Sequence, residues 1–244
     1  MKLARFEVEN HRGRPVPRVL GIALAGWLAA GLLVFARWLD TEQMGAAVGA
    51  ALVFAAGLVD DLAPVGPRGL RNHLRSLASG HMTTGILKLV VTIGSAVLGV
   101  ALLDRGTGVD RLAAVILVAG TTNVWNGLDV RPGRALKAFI LSTLLLVLLD
   151  AGRMSLVVAV LFPAAVVALW IDLRERAMLG DAGGNMLGFS MGMALAASLP
   201  TPALWPSALV AVALNVTAET VTFSRVIEAT PPLRWFDRLG RIPD

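Results

Sequence analysis

Eight runs of mostly apolar residues recur along the chain, at about 19–39, 44–62, 85–103, 111–129, 134–150, 154–172, 184–200 and 205–223. A bilayer crossing takes about 20 such residues, with about 17 to 25 usual. In hydrocarbon each backbone N–H and C=O must be satisfied within the protein, so runs of this length permit helices and little else. The pattern predicts an all-α, polytopic transmembrane helical bundle of about eight spans, the fifth and seventh short. Hydrophobic residues make up 56% of the chain and charged ones 16%, which excludes an ordinary soluble domain.

The basic residues set the orientation. Those before the first run and after the second, fourth, sixth and eighth fall on one side, from Lys2, Arg5 and Arg18 through Arg68, Arg71 and Arg75 to Arg134 and Arg174. Only Arg37, Arg105, Arg111 and Arg153 fall on the other. By the positive-inside rule both termini are expected in the cytoplasm. The charge of +5 and pI near 10.9 therefore reflect loops at a membrane and not a nucleic-acid face, so nucleic acid is excluded as a partner. No cysteine is present, which removes thiol nucleophiles and thiolate metal sites. The first run lacks a small-residue cleavage site and reads as a retained helix. The whole of 1–244 reads as one integral-membrane domain, with a cytoplasmic segment at 1–18 and an interfacial one at 224–244 in which Trp235 and Phe236 would anchor at the headgroups.

Against this apolar background the polar residues stand out. Asp60 and Asp61 end the second run; an ionised aspartate at bilayer depth costs about 2.5 to 3.5 kcal/mol, and neighbouring ones repel. Lys88 lies about one turn into the third run and is either a stem that snorkels to the interface or a phosphate ligand. Asn123, Asn126 and Asp129 form a row on one helical face, read as a cation or sugar site, with interhelical hydrogen bonding as the alternative. Gly180-Asp181-Ala182-Gly183-Gly184 reads as a glycine-rich turn whose N–H groups at a helix start, including those of Gly183 and Gly184, would receive an anion. His73 and His81 are expected to be loop residues, lacking a partner at ligand spacing. Glu219 is expected at a helix end, solvated or near the site. The Asn215-Val216-Thr217 sequon lies within an apolar run and is discounted.

Asp60, Asp61, Asp129 and Asp181 are thus expected to converge on the cytoplasmic face. Hard oxygen ligands with positions open to phosphate describe a magnesium site, and nearby Lys88, Arg131, Arg134 and Lys137 suit a diphosphate substrate.

At these residues the chain resembles the polyprenyl-phosphate N-acetylhexosamine-1-phosphate transferase superfamily, which includes phospho-N-acetylmuramoyl-pentapeptide transferase. Gly57-Leu58-Val59-Asp60-Asp61-Leu62 looks like the family's double-aspartate motif, Asn123 through Asp129 like its Asn-x-x-Asn-x-x-Asp motif, and Met178-Leu179-Gly180-Asp181-Ala182-Gly183 like its Phe-Met-Gly-Asp-x-Gly motif. Gly13-Arg14-Pro15-Val16-Pro17 is similar to the segment before the family's first helix, so the resemblance covers roughly residues 13–190. It implies Mg2+-dependent transfer of a sugar-1-phosphate from a UDP-sugar to polyprenyl phosphate, giving a polyprenyl-diphosphate sugar and UMP for envelope glycan synthesis. It also implies that Asp181 is a metal ligand, with Asp61 and Asn123 in the same shell. Asp60 or Asp61 would deprotonate or orient the lipid phosphate, and Asn126 and Asp129 would lie at the substrate. The implied partners are polyprenyl phosphate, a UDP-sugar, the lipid bilayer and a second copy of the chain in a homodimer. Direct displacement and a covalent aspartyl-phosphate both use these groups.

The chain departs from the family where Val130-Arg131-Pro132 replaces a further acidic motif, and it lacks a His-rich loop, since its histidines are His11, His73 and His81. Alternatives are a family member that binds without catalysis, and a transporter. A transporter would place its charges near the bilayer midplane. The CDP-alcohol phosphotransferases share the chemistry, but their Asp-Gly-x-x-Ala-Arg pattern is missing.

Overall fold

The computed structural model describes residues 6–63, 75–76, 78–149 and 155–242. Lys2, Arg5, Arg68, Arg71, His73 and Arg153 lie outside these residues. The described chain is a helical bundle with one small hairpin.

The helices of the bundle fall on the eight predicted runs: α1 Leu20–Val34, α2 Thr41–Leu62, α3 Thr84–Ala101, α4 Gly108–Leu128, α5 Arg134–Leu149, α6 Leu156–Leu173, α7 Gly180–Ser198 and α8 Thr201–Thr220. Two short helices follow, α9 Phe223–Ala229 and α10 Pro231–Arg238. Four of them, α2, α3, α6 and α8, are long and apolar enough to cross a membrane. Large apolar side chains such as Leu98, Leu148 and Val167 cover outward faces, a surface that suits lipid.

Local chemistry sets the boundaries. Asp40 caps α2 by accepting the Gln43 N–H at 2.7 Å, and Thr107 with Asp110 forms a reciprocal capping box that starts α4 three residues before the expected position. The first run ends early, with a 3-10 turn at Ala36–Trp38 after α1. There Arg37 stacks on Trp38.

The hairpin was not expected from the sequence. β1 (Glu7–Glu9) pairs antiparallel with β2 (Pro15–Pro17), with Val8 opposite Val16. Its turn is held by the Asn10 side chain, which accepts the N–H groups of Arg12 and Arg14.

Nearly every residue of α7 is buried, and α1 to α6 all pack against it. Close approach explains how one helix meets so many neighbours. A Cβ on Gly188 would stand 2.8 Å from the Cα of Thr122 in α4, and one on Gly21 would stand 2.5 Å from the amide nitrogen of Gly183. Small residues at four-residue spacing let the backbones touch where larger side chains would hold them apart. α8 packs on α4 through Leu204, Ala208 and Ala211 and leaves Leu209, Val210 and Val216 exposed.

Candidate functional site

The C-terminal ends of α2 and α4 and the N-terminal ends of α3 and α7 meet at one end of the bundle, beside the hairpin. Asp60, on the last turn of α2, pairs with Lys88 of α3 at 2.9 Å. The same Lys88 ammonium also pairs with Asp181 of α7. Lys88 therefore neither snorkels nor stands free: its side chain, 15% exposed, lies between two carboxylates.

Asp61 faces another way. Successive helical residues point about 100° apart, so its neighbour's surroundings are not its own. Its oxygens accept the backbone N–H groups of Asp181 and Ala182, each at 3.0 Å, and Arg18 holds Oδ1 at 3.0 Å. Only 2% of this side chain is exposed, against 21% for Asp60 and 35% for Asp181. Asp129 accepts the N–H of Gly180. Three orphan amides at the start of α7 thus end on two carboxylates from other helices, which extends the helix back to Gly180, where φ is +68°.

The expected glycine-rich turn is therefore the first turn of α7, and this corrects the anion-site reading. Gly183 and Gly184 are buried helical residues packed on Gly21 and on the Asn126 backbone, while the preceding amides of Gly180, Asp181 and Ala182 are capped by Asp129 and Asp61.

The asparagine row divides. Asn126 accepts a hydrogen bond at 3.3 Å from Asn185, which also donates to the Asp181 carbonyl at 2.6 Å. Asn123 instead donates to Asn215 of α8 at 2.5 Å, and Asn215 in turn donates to the carbonyls of Gly120 and Ala211. That is interhelical bonding on the α8 side, away from Asp181. The discounted sequon at Asn215 lies within this contact.

The basic residues also part company. Arg134 grips Asp237 of α10 with two bonds of 2.9 and 3.1 Å, and Lys137 donates to the carbonyls of Phe236, Asp237 and Leu239. Neither faces Asp60 or Asp181, so both leave the expected diphosphate set. Arg131 is half-buried beside His11, Asp129 and Asp172 around a small cavity under the hairpin. Burial and the charge of Arg131 lower the His11 pKa below its ordinary value. Glu219 and His81 are exposed.

No protein-family model matches this chain, and no curated protein matches it. The reading of the site therefore rests on its own chemistry. Among the described residues no three His, Cys, Asp or Glu side chains are grouped to hold a metal. Magnesium commonly takes one or two carboxylates and completes its octahedron with water and phosphate oxygens. Asp60 and Asp181, converging on one cation and both partly open, fit that pattern. Asp61, whose oxygens hold the Asp181 and Ala182 amides and Arg18, does not join them, and the Asn123 amide is turned to Asn215 of α8.

Sequence reasoning missed Arg18, Asn185 and Asp172. Asn185 follows Asp181 by one helical turn, a spacing that could have flagged it. Asp172 ends an apolar run as Asp60 does, and it is buried, accepting the Gly133 N–H at 2.6 Å. A larger cavity of about 440 Å3 lies at the opposite end of the bundle, between Asp40, Glu42, Asp104 and Arg105. None of the motif residues lines it, and Asp40 and Glu42 there accept backbone N–H groups.

Proposed function

We propose that this chain transfers a sugar-1-phosphate from a UDP-sugar to polyprenyl phosphate at the cytoplasmic face of a membrane, releasing UMP. The observation that carries this reading is the convergence of Asp60 and Asp181, from distant parts of the sequence, on the single ammonium of Lys88. Two partly open carboxylates with one cation, at the polar end of an apolar bundle, suit a phosphoryl donor and a lipid acceptor better than they suit packing.

In the proposed reaction an oxygen of the lipid phosphate attacks the β-phosphorus of the UDP-sugar. The new P–O bond forms as the bond from that phosphorus to the oxygen bridging the α-phosphate breaks, and UMP departs with the bridging oxygen and its electron pair. Asp60 orients the lipid phosphate or takes its proton. Lys88 supplies positive charge to the diphosphate as charge moves onto the leaving group. Asp181 and Asp60 would hold Mg2+, which when bound supplies Lewis-acid polarisation of the phosphoryl oxygens. Asn185 fixes the Asp181 turn and Asn126 against each other.

The topology belongs to the same reading. We infer eight spans with both termini cytoplasmic, a reading supported by the helices on the eight predicted runs and by the uneven distribution of basic residues along the sequence. The test is incubation of purified protein with radiolabelled UDP-sugars, undecaprenyl phosphate and Mg2+, reading labelled lipid and free UMP. A lipid product that Asp181→Asn abolishes is expected. Full activity in Asp181→Asn would overturn the assignment of that residue, and absence of product with every donor would overturn the transferase reading.

A further inference from the structure

Arg18 lies in the short link between β2 and α1, and the backbone on both sides of it is tied to the segment entering α7. Met178 donates its N–H to the Pro17 carbonyl at 2.9 Å, Leu20 donates to Met178 at 3.1 Å, and Gly21 donates to Leu179 at 3.2 Å. The residues around Arg18 thus run alongside 178–179, and Gly21 lies against Gly183. From this fixed base the guanidinium reaches the end of α2. There one nitrogen donates to Asp61 Oδ1 at 3.0 Å and another to the Asp61 carbonyl at 2.5 Å. Among the described residues the buried Nε has no hydrogen-bond partner, and both bonds of this side chain are on Asp61.

Asp61 passes that constraint on, since its two oxygens hold the Asp181 and Ala182 amides. A carboxylate so buried keeps its charge and orientation only with a compensating cation, and Arg18 is the cation in contact with it. We propose that Arg18 is a positioning residue for Asp181, acting through Asp61: the guanidinium fixes the carboxylate that sets the first turn of α7. The adjacent aspartates then have separate tasks, Asp60 at the reacting groups and Asp61 beneath the helix that carries Asp181. This rests on the proposed role of Asp181, but the contact itself can be tested independently of that role.

Hydrogen exchange at amide resolution on the full chain in detergent reads the contact directly. Loss of a hydrogen bond to a charged group corresponds to about tenfold or more in local opening. Arg18→Met is expected to speed exchange at Asp181 and Ala182 by that factor, leaving residues 186–196 of α7 at the wild-type rate. Arg18→Lys, a milder change that keeps the charge, is expected to give a smaller acceleration at the same two amides. Arg12→Met, which removes the hairpin's ion pair with Glu175, is expected to leave both amides unchanged. Unchanged exchange at Asp181 and Ala182 in either Arg18 variant would overturn the proposal, as would a uniform rise along α7 and the hairpin. A parallel titration with Mn2+ separates the two readings: a wild type that binds no Mn2+, with the exchange pattern intact, removes the metal from Asp181 and leaves the positioning role standing.

Discussion

Two clusters of buried charge lie at the same end of this bundle, and they are built on opposite terms. At the start of α7, the four carboxylates of Asp60, Asp61, Asp129 and Asp181 gather with two cations, Arg18 and Lys88. At α10, the three cations Arg134, Lys137 and Arg241 gather around one carboxylate, Asp237. The second cluster is nevertheless complete. Lys137 spends its donors on three carbonyls at the end of α10, where the helix dipole is negative, and Arg241 adds a bond to the Pro132 carbonyl at 2.9 Å. The first cluster keeps two partly open carboxylates whose cation is a single lysine. Burial of charge by itself therefore does not mark a site; what marks it here is acid in excess of its partners and open to a ligand.

The largest expected contrast comes from removing one carboxylate in each cluster. Asp60→Asn should lower the rate of UMP release by at least about a hundredfold, the scale of a lost general base or orienting group, with little change in thermal stability. Asp237→Ala should do the reverse. Removing one partner of a buried ion pair costs about 3 to 5 kcal/mol, here appearing as undocking of α10 in hydrogen exchange, while turnover per folded molecule stays near wild type. If Asp237→Ala abolished turnover in folded protein, the two clusters would not be separable.

Much of the bundle could be read from the sequence because run length in hydrocarbon leaves one solution, and the helices lie on the predicted runs. The hairpin escaped because its strands are three residues each and depend on Asn10 and on the segment entering α7, neither of which leaves a periodic signal. Asp60, Lys88 and Asp181 were legible as polar exceptions in apolar runs. The roles of Gly183, Gly184, Asn123, Arg134 and Lys137 were not, because each is decided by a partner far away in sequence. Arg134 and Lys137 looked like anion ligands until α10, about a hundred residues later, supplied their acceptors. The start of α7 reads in the sequence as a glycine-rich turn with free amides for the same reason, its caps coming from α2 and the end of α4.

A smaller contrast separates the lysines. Lys88→Met leaves Asp60 and Asp181 facing each other without their cation, so a divalent ion should bind them more tightly, by about tenfold for a pair of partly exposed charges, while the UDP-sugar binds more weakly. Lys137→Met should leave Mn2+ affinity at the wild-type value, because the Lys137 ammonium bonds to carbonyls at the end of α10 and not to Asp60 or Asp181. Mn2+ titrations of the two variants measure this, and a fall in affinity for Lys88→Met would mean that the lysine assembles the carboxylates instead of competing for them.

The smallest expected effect is the pH response of the α10 cluster. Burial works against ionisation of Asp237, but the hydrogen bonds and charge of Arg134, with the charges of Arg241 and Lys137, outweigh it and hold the carboxyl below its ordinary value of 3.8. A carboxyl lowered on folding contributes stability that is fully present above its unfolded value and is lost as pH falls through the folded one. Docking of α10 should therefore be constant from neutral pH down to about pH 5 and should weaken only in stronger acid, as protonation leaves Arg134 and Arg241 buried without their counter-charge. Exchange of the amides in 231–242 followed from pH 7 downward reads this directly, with rates corrected for intrinsic pH dependence. Asp237→Asn should remove the acid-dependent step and show weaker docking throughout. Loosening of wild-type α10 already near neutral pH would place the controlling proton elsewhere than on Asp237.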